Sequence, residues 1–340
     1  MKAMALEKVG RITPRAKPLV WTEIPDPVAG PGQILVRVSV CGVCHTDLDE
    51  IEGRTPPRRF PMVPGHQVIG RVEALGPGAR TYSVGARVGV AWIHAACGHC
   101  EYCRAGNENL CPGFTATGRD AHGGYAETMV VGEDFAHPIP DVFSDATAAP
   151  LLCAGAIGYR SLRLCGLQDG EALGLMGFGA SAQLVLQLAR HQLPHSRLHV
   201  FTRKNAHQAI ELGAHWVGGI DDQVPGGVQA IIDTTPVWRS VLRGLQNLRP
   251  GGKLVINAIR KENDDRDILL ETEYERHLWM EKGIQSVANV TRKDVRELLA
   301  LAARIPLRPV VEEHPLQEAN SVIIELKEGR LRGSQVLRVA

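Results

Sequence analysis

Seven residues, Cys41-Gly42-Val43-Cys44-His45-Thr46-Asp47, bring two thiols, an imidazole, a hydroxyl and a carboxylate into one short stretch. Side chains of these types bind a metal, form a redox pair or simply occupy a turn, and spacing alone does not choose between them. A second cluster is more specific. Cys97, Cys100, Cys103 and Cys111 stand in a C-x2-C-x2-C-x7-C frame, which lets a turn of backbone wrap four soft thiolates around one tetrahedral zinc. Such a site is closed. With sulfur at every position no place is left for water or substrate, so the ion would fix a loop and perform no chemistry. An iron–sulfur cluster and a disulfide knot are the rival readings.

A catalytic zinc needs three protein ligands and one open position, with ligands commonly drawn from distant parts of the chain. Cys44, His66 in FPMVPGHQVIG and Cys153 offer such a mixed sulfur and nitrogen set. Taken singly, each is more often a packing cysteine or a satisfied histidine than a ligand. The chain after Cys153 changes the balance. EALGLMGFG is a short apolar strand running into Gly177 and Gly179, and ASAQLVLQLARH continues with Ala182, Val185, Leu186 and Ala189 as the stripe of a helix packed on a sheet. Further strands are expected at RLHVFTR, VQAIIDTT, GKLVINAI and IQSVANV, with helices at NAHQAIELGA and WRSVLRGLQNL. That rhythm predicts an α/β doubly wound parallel sheet.

The turn Gly177-Phe178-Gly179-Ala180-Ser181-Ala182 fits G-x-G-x-x-G/A. Glycines there let backbone approach a pyrophosphate at a helix N-terminus, whose free N–H groups and dipole favour the anion. A plain strand-to-helix turn is the alternative. An acid roughly 20 residues further on would select the cofactor without a 2′-phosphate. This chain offers Thr202, Arg203 and Lys204 there, with no acid. Arg203 suits a 2′-phosphate and Thr202 donates to either cofactor, so the reading leans to NADP(H) over NAD(H).

The chain has 340 residues, more than one core of roughly 100 to 200 residues comfortably serves, so two domains are expected. Hydrophobic residues make up 44% and the formal net charge is +1, which points away from nucleic acid and membrane surfaces. Glu7, Lys8 and Arg11 interrupt any signal-peptide core. Ala172 to Ala189 is uncharged over 18 residues, but its three glycines with Gln183 and Gln187 argue against a membrane span. Eight clustered cysteines without an export signal suggest reduced thiols that bind metal in a cytoplasmic protein.

Taken together, CGVCHTD, PGHQ, VAWIHAACGHCEYCRAGNENLC, GGYAE, APLLCAG, GFGASAQL and LRPGGKLV resemble, in order and spacing, the zinc-containing medium-chain alcohol dehydrogenases along nearly the whole chain. The resemblance implies a GroES-like, β-rich catalytic domain over 1–150, completed by 291–340, and a Rossmann nicotinamide-cofactor domain over 151–290. It implies two zinc ions per chain, with Cys44, His66 and Cys153 on the catalytic one and Cys97, Cys100, Cys103 and Cys111 on the structural one. By matching positions, Thr46 is similar to the hydroxyl that bonds the reacting alcohol, and His45 to a basic residue near the cofactor phosphates. Asp47 is similar to a residue orienting a ligand, and Trp92 to one lining the substrate pocket. Three positions depart from the family pattern: Gln67 where Glu is usual, Asp49 where a histidine commonly ends the proton relay, and Ser334 where some relatives carry a pyrophosphate-binding arginine. The expected activity is hydride transfer between a small alcohol and its aldehyde or ketone in a homo-oligomer, a tetramer before a dimer. A zinc-free quinone or enoyl reductase and a catalytically impaired cofactor-binding relative are the alternatives.

Overall fold

A computed structural model describes residues 1–305 and 307–339, which fall into two compact units. The first contains Met1–Cys153, Val290–Arg304 and the segment from Arg308 on; the second contains Ala154–Asn289 with Ile305 and Leu307.

In the first unit β1 (Lys2–Leu6) and β2 (Leu19–Glu23) form an antiparallel pair. The main sheet is built from β3 (Gln33–Val43), β4 (Gln67–Leu75) and β5 (Arg87–Val90), with β8 (Thr128–Gly132) and β9 (Ala136–Pro138). Strands β6 (Ile93–Ala95) and β7 (Thr115–Ala116) pair separately. Along the first part of β3, Ile34, Val36 and Val38 are buried while Arg37 between them is exposed, the period-two pattern of a sheet with one face on a core. That core holds Ile34, Val36, Val68, Met129 and Tyr125. The sheet is completed from the far end of the sequence by β16 (Val311–Pro315) and β17 (Ser334–Arg338), the latter antiparallel to β3.

The second unit is a parallel sheet in the order β12 (Trp216–Gly218), β11 (Arg197–Phe201), β10 (Ala172–Met176), β13 (Val228–Asp233), β14 (Leu248–Ile256), β15 (Gly283–Ser286). Every residue of β10 is buried, as a strand covered on both faces must be. In the helix Ala180–Gln192 the stripe at Ala182, Val185, Leu186 and Ala189 is fully buried. Strand order reverses between β10 and β13, the doubly wound arrangement expected from the alternation of apolar strands and amphipathic helices. Only β12, three residues long, has no counterpart among the strands expected from the sequence. IQSVANV contributes its first half to β15, which lies at the sheet edge. Among the described residues no helix is long and apolar enough to cross a membrane.

Candidate functional site

Three separate segments of the first unit bring Cys44, His66 and Cys153 together, with ligand atoms all within 4.8 Å of one another. Cys44 Sγ is 3.3 Å from His66 Nε2 and 3.8 Å from Cys153 Sγ. Cys44 is the N-cap of the helix His45–Ile51; its sulfur accepts from the Thr46 N–H at 3.4 Å, and its own N–H donates to Asp47 Oδ2 at 2.7 Å. This reciprocal cap fixes the Cys44 side chain at the helix N-terminus. His66 ends the segment before β4, and Cys153 follows the 3-10 turn Ala149–Leu152. Both are placed by backbone, not by sequence proximity.

The other carboxylate oxygen of Asp47 faces His66 Nδ1 at 3.6 Å, with both side chains fully buried and neither atom otherwise bonded. Asp47 thereby sets a carboxylate beside Nδ1, while Nε2 is turned to the Cys44 sulfur. The electrostatics suit a cation. The hydrogen bond and charge of Cys153, together with burial, hold the Cys44 thiol well above its ordinary range. Burial raises Asp47 despite His66. Burial would lower His66, but the charges of Cys44 and Asp47 outweigh it and push the imidazole up to about 10. Crowded anionic donors are compensated by protons here, and a divalent ion would take the place of those protons.

Cys41 has a different task. Gly65 has φ +95°, and a Cβ there would lie 2.4 Å from the Tyr125 ring and 2.7 Å from Cys41 Sγ. The buried Cys41 and Tyr125 are therefore the packing floor beneath the PGH turn that presents His66. Gln67, next to the ligand, is buried opposite Gly42 in the β3–β4 register.

Cys97, Cys100, Cys103 and Cys111 also lie with their sulfurs mutually within 4.8 Å, and none is in a disulfide. Backbone N–H groups of Cys97, Cys100 and Cys103 donate to the sulfurs of Cys111, Cys97 and Cys100 at 3.4, 3.4 and 3.5 Å. Such donors stabilise thiolates, and hydrogen bonding from the His99 and Cys100 backbone brings Cys97 down to about 6. Four inward-turned sulfurs with N–H support fit a tetrahedral ion better than a disulfide knot.

Thr46 is nearly buried and His45 is exposed, adjacent on the same helix. Asp49 is buried and accepts from Arg54 Nε at 2.5 Å. The residue standing where relatives commonly end the proton relay with a histidine is thus paired with a guanidinium. A functional candidate that the sequence does not single out is its neighbour Glu50. It is fully buried, three and four residues beyond Asp47 and Thr46 and hence on their face of the helix. Oε1 accepts from Trp92 Nε1 at 3.2 Å, while Oε2 has no hydrogen-bond partner. Trp92 in turn packs on Phe114 at 4.9 Å, with the Arg119 guanidinium 5.1 Å over its ring. In LDEIE the acids at 49, 50 and 52 look like one solvated face; only the spacing from Thr46 and Asp47 signals that Glu50 turns inward.

Burial pushes Glu50 up to about 8, with Asp47 adding to it and His66, Trp92 and Arg119 opposing. Below about pH 4.5 the carboxyl is protonated in folded and unfolded chains alike. Between there and pH 8 the folded state keeps a proton that the unfolded chain gives up, so stability falls as pH rises. Chelator-treated Glu50→Gln is expected to lose this decline and to exceed the chelated wild type at pH 8 by roughly a few kcal/mol. Urea unfolding of both proteins at pH 5 and pH 8 measures it; parallel pH dependence would count against a strained Glu50.

In the second unit Gly177 has φ +85°, its N–H donates to Phe201 O at 2.9 Å, and Gly179 caps the helix Ala180–Gln192. Phe178 and Ala182 are buried, and Ser181 Oγ donates to Ala154 O at 3.0 Å. The helix N-terminus thus carries no side-chain cap, which leaves its N–H groups available to an anion. Beyond β11, Thr202 Oγ1 donates to Lys204 O, and Arg203 and Lys204 are exposed. Ser334 opens β17, donating its N–H to Val310 O at 2.8 Å.

A family model described as the alcohol dehydrogenase GroES-like domain matches residues 30–141. Over 346 residues, covering 100% of this chain and 97% of the relative, the sequence is 40% identical to the probable alcohol dehydrogenase AdhA of Mycobacterium tuberculosis (strain CDC 1551 / Oshkosh). It is 32% identical over 354 residues, with 100% of both chains covered, to an alcohol dehydrogenase of Geobacillus stearothermophilus. Among solved structures, the cobalt- and zinc-bound thermostable alcohol dehydrogenase from Pyrobaculum aerophilum matches with a TM-score of 0.86 at 23% identity, covering 100% of this chain and 99% of that one. That last likeness speaks to the fold.

Proposed function

The chain belongs to the zinc-containing medium-chain alcohol dehydrogenases, and we propose that it transfers a hydride between a small alcohol, or its aldehyde or ketone, and NAD(P). The observation that carries this reading is the convergence of Cys44, His66 and Cys153 from three segments onto one point. Three mixed ligands leave the fourth position open, as a catalytic zinc requires and a structural one does not. We assign the catalytic domain to 1–150 with 291–340, the cofactor domain to 151–290, and the protein to the cytoplasm.

When bound, zinc supplies Lewis acidity toward the alcohol oxygen and nicotinamide supplies the hydride acceptor. The chain's own residues do the rest. Cys44 and Cys153 would hold the metal with soft charge, and the Asp47 carboxylate beside Nδ1 would favour binding of His66 through Nε2. Thr46 offers a hydroxyl to accept and pass on the alcohol proton. Trp92, fixed at its ring nitrogen by Glu50, gives the substrate an ordered aromatic wall. Gly177 to Ala182 would receive the pyrophosphate, with Thr202 and Arg203 at the adenosine ribose.

Metal content by mass spectrometry, with an alcohol and aldehyde panel assayed with both cofactors, tests the reading. Two zinc ions per chain with turnover support it; zinc-free protein with quinone activity, or cofactor binding without turnover, replaces it with one of the other two classes.

We also infer that the working form is a homo-oligomer, a tetramer before a dimer. Strand β15 lies at the edge of its sheet, and Ile284 on it is exposed, as are nearby Tyr274, Trp279 and Met280. An open apolar edge invites a second strand and is otherwise an aggregation hazard. Ile284→Lys is expected to reduce the mass seen by light scattering from oligomer toward monomer without removing zinc; a wild type that runs as monomer at working concentration refutes the assembly.

A further inference from the structure

Ligands of doubly wound sheets bind beyond the carboxyl ends of the strands where strand order reverses, which in this chain is between β10 and β13. An ion pair is buried at that point. Asp233, the last residue of β13, is fully buried, and Lys261, from the segment after β14, has a side chain only 8% exposed. The Lys261 ammonium donates to Asp233 Oδ2, to Thr235 O at 2.8 Å and to Val237 O at 3.0 Å, so three donors meet three acceptors. Asp233 Oδ1 accepts in addition from the N–H and hydroxyl of Thr235, at 3.0 and 2.9 Å.

The segment held in this way abuts the glycine turn. Thr234 donates both its N–H and its hydroxyl to Met176 O, at 2.9 and 3.0 Å, immediately before Gly177. A Cβ on Gly177 would lie 2.8 Å from Thr234 Oγ1 and 2.8 Å from Thr235 Cγ2. Lys261 therefore ties down residues 233–237 at the end of β13, of which Thr234 and Thr235 abut the turn after β10. A buried ion pair is a weak device for stability, because desolvation offsets most of its attraction and apolar residues of similar size do as well. What the pair adds over an apolar plug is geometry: two backbone carbonyls and a carboxylate drawn to a single point.

We propose that Lys261 is a positioning residue of the cofactor crevice, acting through residues 234–237 to fix the wall beside which the dinucleotide lies on the glycine turn. The proposal rests on the reading of Gly177 to Ala182 as the NAD(P) site. Its test separates positioning from structural support. Lys261→Met leaves the Asp233 charge buried and alone, which costs stability, so Asp233→Asn/Lys261→Met is made alongside to remove that charge. Zinc content, unfolding temperature, KM for the alcohol, and cofactor affinity by fluorescence titration with NADH and NADPH are measured on each.

The double variant is expected to recover most of the unfolding temperature lost in Lys261→Met yet to bind cofactor at least about tenfold more weakly than wild type, since the two carbonyls still lack their charged donor. Zinc content and KM for the alcohol should not move. Lys261→Arg keeps the charge but presents it on a flat fork that cannot meet three converging acceptors. It is expected to weaken cofactor binding severalfold, and it carries the test by itself if both Met variants fail to fold. Cofactor affinity within about twofold of wild type, well inside the loss that removing hydrogen bonds to a charged group should cause, in a folded Lys261→Arg or double variant overturns the proposal. A wild type that binds neither nucleotide overturns instead the assignment of the glycine turn, and this inference falls with it.

Discussion

Cys44→Ala and His66→Ala are expected to lose turnover by a factor of roughly a thousand or more, since a metal that stabilises developing charge contributes several kcal/mol. Both proteins should remain folded and keep one zinc. The ligands sit on elements that already have cores of their own: Cys44 caps a helix whose Leu48 and Ile51 are buried, and Cys41 and Tyr125 pack beneath the turn before His66. Removing one thiol or imidazole leaves that packing in place. Cys103→Ala should behave in the opposite way. Residues 97–111 contain few buried side chains, and the loop is tied down chiefly by its sulfurs and by Glu108, which accepts from Arg292 N and Nε at 2.9 and 3.1 Å. A closed four-thiolate zinc contributes folding free energy directly. Its loss should lower the unfolding temperature and loosen the anchor at Arg292, with activity falling only as the protein unfolds. Metal analysis, calorimetry and initial rates on the three variants decide it, and equal loss of fold in all three would end the distinction between an open and a closed site.

How far the sequence could be read depended on whether the partners were close along the chain. The four thiols at 97–111 lie on one loop, so their spacing alone suggested sulfurs that could converge, as they do. The parallel sheet was equally readable, because its strands are buried on both faces and appear as apolar runs separated by amphipathic helices. Cys153 is 109 residues from Cys44, and no local pattern joins them; only likeness to a family did, and the fold supplies the 3.8 Å contact. Asp49 and Glu50 show the limit at the scale of single side chains. Adjacent residues on one helix differ because Arg54 comes back to neutralise the first, whereas the second meets the Trp92 ring nitrogen and little else. The completion of the first sheet by β17 likewise had no local signal and was expected only from the family likeness, since its pairing with β3 joins segments far apart along the chain.

Arg203→Ala is expected to weaken NADP(H) selectively, raising its KM by about tenfold or more while leaving NAD(H) within about twofold, because a charge-assisted pair with a 2′-phosphate is lost and none exists to the bare ribose. Local geometry supports the choice of residue. Strand β11 ends at Phe201, beside the glycine turn whose Gly177 N–H it accepts, so the next residues fall where an adenosine ribose is read. Thr202 and Lys204 bond to one another across this corner, and Asn205 takes a left-handed conformation with φ 67°. Arg203 stands exposed at its apex. No acid is present from Arg197 to Ile210 to repel a phosphate or to accept from the 2′-hydroxyl. The same corner with a carboxylate would reverse the electrostatics, so Arg203→Asp should go beyond loss of NADP(H) and favour NAD(H). Measuring kcat/KM for both cofactors in wild type and the two variants tests the reading directly. A wild type that prefers NAD(H) by about tenfold, a difference of about 1.4 kcal/mol in the wrong direction, would make Arg203 and Lys204 no more than a solvated bend after a strand.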